Sequence, residues 1–280
     1  MPADLTELTV SPPGVVAQVG APQPDDYVRA GALVHAIPDV LQRAARERDE
    51  AMPLLFGLLL APPGKVRERQ QFELTARHDE RMVRQGLDYA DRLADLPRML
   101  YLPLASMAMP ALRRRPRPEL EKFMDGCFAL THADGRVDLF EYCLGRLLRI
   151  QVRDALDPAG HWSASNRRLA DVTPQAVTLM AVLAQAGHED PAAAMRAYLA
   201  SLSLVFPRLN SPYRPPSDPL AALDEVWPVL DAVEPRGKEL LLEGLVAAVS
   251  HDGRITVAEA ELLRAVCASL HCPLPPMLER

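Results

Sequence analysis

The chain has 280 residues, with 31 Lys and Arg against 37 Asp and Glu for a formal net charge of −6, and 49% of it is hydrophobic. That is enough apolar chain to bury a full core in one or two domains, and an aromatic share of only 5%, with Ala, Leu and Val carrying the rest, argues against an all-β chain and against disorder. The acidic balance argues against a general nucleic-acid binder, which needs a basic footprint able to neutralise several phosphates.

Residues 1–24 are rich in Pro and Gly with no sustained period and read as a leader or linker, ending at the helix-capping run Pro24-Asp25-Asp26. From there to Leu112 apolar positions recur at helical spacing, as in Tyr27, Ala30, Leu33, Val34 and Ile37, then Val40, Leu41 and Ala44, with Pro38 suited to a first turn. Val66–Leu96 is polar with apolar teeth at Phe72, Leu74, Met82, Leu87 and Leu93, the pattern of surface helices docked by one stripe. Further helices are predicted over Glu119–His132, Asp138–Ala155, Pro174–Gly187, Pro191–Ser203, Pro219–Val233, Gly237–Ser250 and Thr256–Leu270, with Pro207–Asp218 as an internal connection and no convincing strand. The expected fold is all-α, a multi-helix bundle. Its expected organisation is a leader over 1–24, an N-terminal helical region over 25–112 and a second helical region over 113–280.

Met1–Gly14 has no basic start followed by an apolar stretch, so no secretory signal is read there. The longest apolar runs, Met52–Pro62 and Met99–Pro103, are too short and too broken by proline to cross a bilayer, which takes about 20 apolar residues. A cytoplasmic chain is expected. The four cysteines, Cys127, Cys143, Cys267 and Cys272, sit in apolar helical patterns and read as reduced core residues; none forms the C-x-x-C of a zinc knuckle.

An internal repeat carries the clearest signal. Glu121–Arg146 superposes on Glu239–Arg264 without a gap, and the shared element is Asp-Gly-Arg-(Val/Ile)-x-x-x-Glu, running from Asp134 to Glu141 and from Asp252 to Glu259. Gly135 and Gly253 suit the left-handed conformation that ends a helix. Asp138 and Thr256 are good N-caps, and Glu141 and Glu259 three residues on complete a capping box, so each copy encodes a helix, a tight turn and a helix (hairpins 119–155 and 237–271, with 156–236 inserted between them). Cap chemistry alone accounts for nearly every fixed residue. The sharper reading gathers Asp134, Glu141, Asp252 and Glu259 around a divalent cation. An EF-hand does not fit, because glycine directly follows the first aspartate. Capping is the favoured reading.

These residues resemble the TerB-like helical fold, whose pattern is an Ala-Asp-Gly turn followed by an acidic residue on the next helix: Ala133-Asp134-Gly135 through Glu141 matches, while the second copy has His251 in place of the alanine. The resemblance implies a stress or tellurite-resistance type of protein with an acidic, cation-binding surface. The wider chain resembles the C-terminal cytoplasmic region of bacterial HtpX-like zinc metallopeptidases, membrane proteases with a trailing helical domain, over Val19–Leu60 and over Ala133–Val137 with His251–Leu278. That family's catalytic motif is His-Glu-x-x-His, and none of the seven histidines here has another four residues away; His78-Asp79-Glu80 is followed by Arg-Met-Val. This second resemblance implies a non-catalytic domain that binds protein partners or its own peptidase core, with zinc held in a separate catalytic domain and no cofactor in this chain.

Three further features are weighed. Arg113, Arg114, Arg115 and Arg117 offer contact to an anionic surface, worth about 1 kcal/mol per basic residue near a membrane; a solvated loop is favoured, since no amphipathic basic helix adjoins them. No Gly-x-Gly-x-x-Gly, Walker or Gly-x-Ser-x-Gly run is present. Trp162 and Trp227 are too isolated for a base-stacking platform and read as packing residues.

Overall fold

The computed structural model describes residues 7–8, 35–133, 139–157, 166–188, 190–251 and 255–272. Twelve α-helices occur among them: α1 (Asp39–Arg46), α2 (Arg48–Leu59), α3 (Lys65–Thr75), α4 (Glu80–Arg92), α5 (Tyr101–Leu112), α6 (Arg117–Thr131), α7 (Leu139–Leu156), α8 (Thr173–Gly187), α9 (Pro191–Val205), α10 (Pro219–Asp231), α11 (Pro235–Val249) and α12 (Val257–Ser269). The fold is all-α, and its helix limits fall within a few residues of those expected. The chain divides into two compact units, Val28–His161 and Met1–Tyr27 with Trp162–Arg280. The α6–α7 hairpin belongs to the first and the α11–α12 hairpin to the second.

Each unit is built around one helix that is largely buried. In the Val28–His161 unit that helix is α2, buried continuously from Ala51 to Leu59, and α1, α4, α5, α6 and α7 pack around it. A helix with no polar face has to be enclosed, whereas amphipathic neighbours need only one buried stripe. Gly57 lets α4 close on α2: a Cβ there would stand 2.8 Å from Tyr89 Cβ and 3.0 Å from the Ala90 nitrogen. The phenol of Tyr89 donates to the Glu50 carboxylate across the same contact. Pro53 sits inside α2 and has no N–H to offer Asp49. At that weakened first turn the Arg115 guanidinium donates to Arg48 O at 2.7 Å and to Asp49 Oδ1 at 3.2 Å.

The second unit is organised around α8, with Ala176 and Leu179–Ala184 buried, and α9, α10, α11 and α12 packed against it. Where α9 crosses α11, a Cβ on Gly244 would lie 2.3 Å from Val205 Cγ2 and 3.1 Å from Ser201 Oγ, so only glycine permits this approach. Trp227 of α10 is fully enclosed, as expected of a packing residue. Asp190 and Asp218 start α9 and α10 as N-caps, accepting from Ala192 and Ala193 N–H and from Ala221 N–H, each followed by proline at the first helical position. The Pro-rich 207–218 connection is irregular as predicted, with Tyr198 Oη donating to Ser211 O at 3.3 Å and the Tyr198 and Tyr213 rings 5.4 Å apart.

Three expectations change. Phe72 does not dock its helix; it is 73% exposed, and Gln70 and Leu74 form the buried stripe of α3 instead. Cys272 is not in a helix: it follows α12 and is half-buried, while Cys127, Cys143 and Cys267 are buried, and none of the four is in a disulfide. A two-residue antiparallel pairing, Glu7–Leu8 with Ile255–Thr256, occurs where no strand was expected. It is too short to leave a period in the sequence.

Candidate functional site

An exposed surface with recognition character runs along α3 to Ala133, just past the end of α6. Gln70 and Leu74 face inward one helical turn apart, which turns Lys65, Glu68, Arg69 and Phe72 outward. With Glu73 and Ala133 these outward residues line an open groove of about 550 Å³. Phe128 of α6 is 50% exposed, its ring stacked on His132 at 4.0 Å between centroids, with the Arg149 guanidinium of α7 at 5.7 Å from the ring centre. His132 Nδ1 lies 2.8 Å from Phe128 O, which fixes the imidazole over the aromatic ring.

The groove is anchored from below by Gln70, which is 1% exposed and makes three hydrogen bonds. Its Nε2 donates to Leu59 O at 3.1 Å and to Leu130 O at 3.0 Å, and its Oε1 accepts from Ala61 N–H at 2.8 Å. Leu59 O is an orphan carbonyl at the end of α2, since the residue four on is Pro63 and has no N–H. One amide side chain therefore joins the ends of α2 and α6 to α3.

A second cavity of the same unit, about 500 Å³, has walls of Leu58–Pro63 and a polar rim that includes Arg67, Asp91, Arg98, Tyr101 and Glu141. Its polar groups hold the frame: Arg67 Nε donates to Ala61 O at 2.5 Å, its terminal nitrogen pairs with Asp91, and Tyr101 Oη donates to Leu93 O at 3.1 Å. Burial pushes the Tyr101 phenol above its ordinary value, with Arg98 opposing.

Of the residues singled out by the repeat, Asp134, Gly135, Asp138, Asp252 and Gly253 lie outside the described residues. Glu141 borders the second cavity. Glu259 is 4% exposed in the other unit, and a Cβ on Gly187 would come within 2.3 Å of its Oε1, so α8 ends in a glycine directly against this carboxylate. The backbone of Thr256 pairs with Glu7, immediately ahead of α12. Among the described residues no group of three His, Cys, Asp or Glu side chains is placed to hold a metal ion. The arginine run divides: Arg113 and Arg114 are exposed, Arg117 pairs with Glu121 at 2.9 Å, and Arg115 pairs with Glu119 at 2.8 Å besides binding the start of α2. The His78-Asp79-Glu80 run is helix-start grammar. Asp79 caps α4 by accepting from Met82 N–H at 2.9 Å, Glu80 pairs with Arg84 at 2.7 Å, and His78 packs its ring 4.9 Å from Phe56.

One polar cluster left no motif in the sequence. Lys238, buried in the first turn of α11, donates to Leu270 O at 2.8 Å and to Asp231 Oδ1 at 3.1 Å, and His271 Nδ1 lies 2.8 Å from the same carboxylate oxygen. Burial pushes the Asp231 carboxyl up, but the His271 hydrogen bond and the His271 and Lys238 charges outweigh it and hold the group below the usual carboxylate range. Lys238 stands on the apolar stripe of α11, where a lone lysine could have announced a buried partner. Burial pushes the Cys127, Cys267 and Cys272 thiols up, and at Cys272, the most exposed of the three, the Lys238 charge opposes it. Comparison of the chain with protein-family models, curated proteins and solved structures finds no match.

Proposed function

We propose that the chain is a non-catalytic interaction module that serves an HtpX-like zinc peptidase, binding the peptidase core through the α3–α6 groove on the cytoplasmic side. The observation that carries this reading is the exposed Phe72 ring, rimmed by Lys65, Glu68, Arg69 and Glu73, with a second exposed aromatic, Phe128, stacked on His132 in the same unit. Aromatic anchors and arginines inside a charged rim are the composition of protein-binding hot spots, and their burial against a partner recovers surface that folding leaves exposed. A rim of both signs favours a partner segment that carries an apolar residue between charges of both signs. That no helix among the described residues is long and apolar enough to cross a membrane fits a domain that trails a membrane-embedded core.

Mixing the purified chain with an HtpX-like peptidase core from the same genome tests the reading. The expected result is a complex with the native chain and at least a tenfold weaker one with Phe72→Ser, about 1.4 kcal/mol of binding free energy. No complex with the native chain, or native affinity retained by both Phe72→Ser and Phe128→Ser, would refute it.

A further inference from the structure

The C-terminus of α12 closes in a Schellman arrangement. The Cys272 amide donates to Cys267 O at 2.8 Å, the His271 amide donates to Ala268 O at 3.0 Å, and His271 takes φ 52° in the left-handed region. Glycine is the usual occupant of that position. Here a histidine holds it while its ring is tied to Asp231, and Lys238 ties down the adjoining carbonyl of Leu270. The residues at the two ends of the long hydrogen bond in this motif commonly make a side-chain contact with each other. Those ends are Cys267 and Cys272. Standard bond lengths around a 2.8 Å hydrogen bond keep their Cα atoms closer than about 6.7 Å. A disulfide spans up to about 6.8 Å. Neither is in a disulfide: Cys267 is enclosed at 1% exposure, and Cys272, half-buried at the surface end, donates its thiol to Leu270 O at 3.4 Å.

We propose that Cys267 and Cys272 form a reversible disulfide, a redox clasp across the cap of α12 that closes when the chain meets a hydroperoxide or a small-molecule disulfide. Cys272 is the more accessible and reacts first. With a hydroperoxide its sulfur takes the distal oxygen, yielding a sulfenic acid and an alcohol or water; the Cys267 sulfur then displaces that oxygen as water, forming the S–S bond and breaking the S–O bond. With a disulfide, Cys272 displaces one thiolate to give a mixed disulfide, and Cys267 displaces the second. In both routes the dithiol loses two electrons and two protons and the oxidant gains them. Closure fixes the left-handed turn at His271 and so holds the end of α12 against Asp231 and Lys238.

The full-length chain under native conditions supplies the test, with hydrogen peroxide and oxidised glutathione as the oxidants. The segment Ala265–Arg280, released by trypsin after Arg264, contains both cysteines and no other. The expected result is a loss of about 2 Da in that peptide, with neither thiol alkylated and both recovered by dithiothreitol. Cys267→Ser and Cys272→Ser each abolish the loss, and amide exchange at Leu270, His271 and Cys272 is slower in the oxidised chain. A peptide that keeps two alkylatable thiols, or that carries a stable glutathione or sulfinic acid on Cys272 beside a free Cys267, overturns the proposal. So does faster exchange across the cap after oxidation, since the bond would then break the native turn.

Discussion

Replacing Gln70 by leucine keeps a buried side chain of similar size and removes every hydrogen bond it makes. The Ala61 N–H and the Leu59 carbonyl then lose the partner that the side chain supplies, and the Leu130 carbonyl keeps only a 3.5 Å contact from the Ala133 amide among the described residues. Each orphaned buried group costs about 1–3 kcal/mol. Allowing for the added apolar burial of leucine, the expected loss is about 3–4 kcal/mol, a large share of the roughly 5–15 kcal/mol of a whole domain. Gln70→Glu adds a pH signature. Its carboxylate would face two carbonyls, so its pKa is raised in the folded chain, and stability is lost as pH rises from about 4.3 toward the folded value. Urea unfolding followed by far-ultraviolet ellipticity measures these changes. Both tryptophans, Trp162 and Trp227, lie in the other unit, so tryptophan emission should be less affected than ellipticity. A loss below about 1 kcal/mol for Gln70→Leu, where two orphaned groups and a weakened third are expected to cost several times that, would refute the reasoning.

Burial against Phe56 and Gly126 pushes the His78 imidazole below 6.5, with the Lys122 backbone hydrogen bond and Asp79 opposing, so the unfolded chain binds the proton more readily. Unfolding free energy should fall as pH drops below 6.5, by at most about 1.4 kcal/mol per pH unit, and His78→Phe should flatten that slope in pH-dependent urea titrations. Asp231→Asn weakens the contacts to Lys238 and His271 and should cost about 1–2 kcal/mol at pH 7 by thermal or urea unfolding. Because the folded carboxyl sits below its ordinary value, the native contribution is present above about pH 4 and is lost as pH falls through the folded pKa, whereas the variant lacks this dependence. Gly244→Ala drives a methyl into Val205 and should destabilise by about 1–3 kcal/mol despite its better helix propensity; Val205→Ala in the same chain should recover part of that loss in a double-mutant cycle.

The helices were legible because their determinants are local. Asp-Pro starts at Asp190-Pro191 and Asp218-Pro219 and apolar spacing in α2 and α8 each act within a few residues. Phe72 was misread because periodicity counts an aromatic as a core tooth wherever it falls near the stripe. Only the position of Gln70, two residues earlier, decides which face is inward, and a glutamine is not scored as core. Arg115 was hidden for a related reason: a basic run looks uniformly solvated, and its one structural member is defined by the distant first turn of α2, opened at Pro53. The Asp231, Lys238 and His271 cluster joins residues from three helix ends 40 positions apart at most. No spacing rule reaches that far. The repeat placed Glu141 and Glu259 in equivalent registers, yet one borders a cavity and the other is enclosed against Gly187, because burial is set by the helices each hairpin meets.

Amide hydrogen exchange on the chain, alone and mixed with an HtpX-like peptidase core, tests the interaction-module account most directly. The account predicts slower exchange confined to residues 65–75 and 126–133, the backbone that carries Phe72 and Phe128, with no change around the buried Lys238 cluster. Unchanged exchange across α3 and α6 in the presence of a bound core, or protection centred on another face, would contradict it.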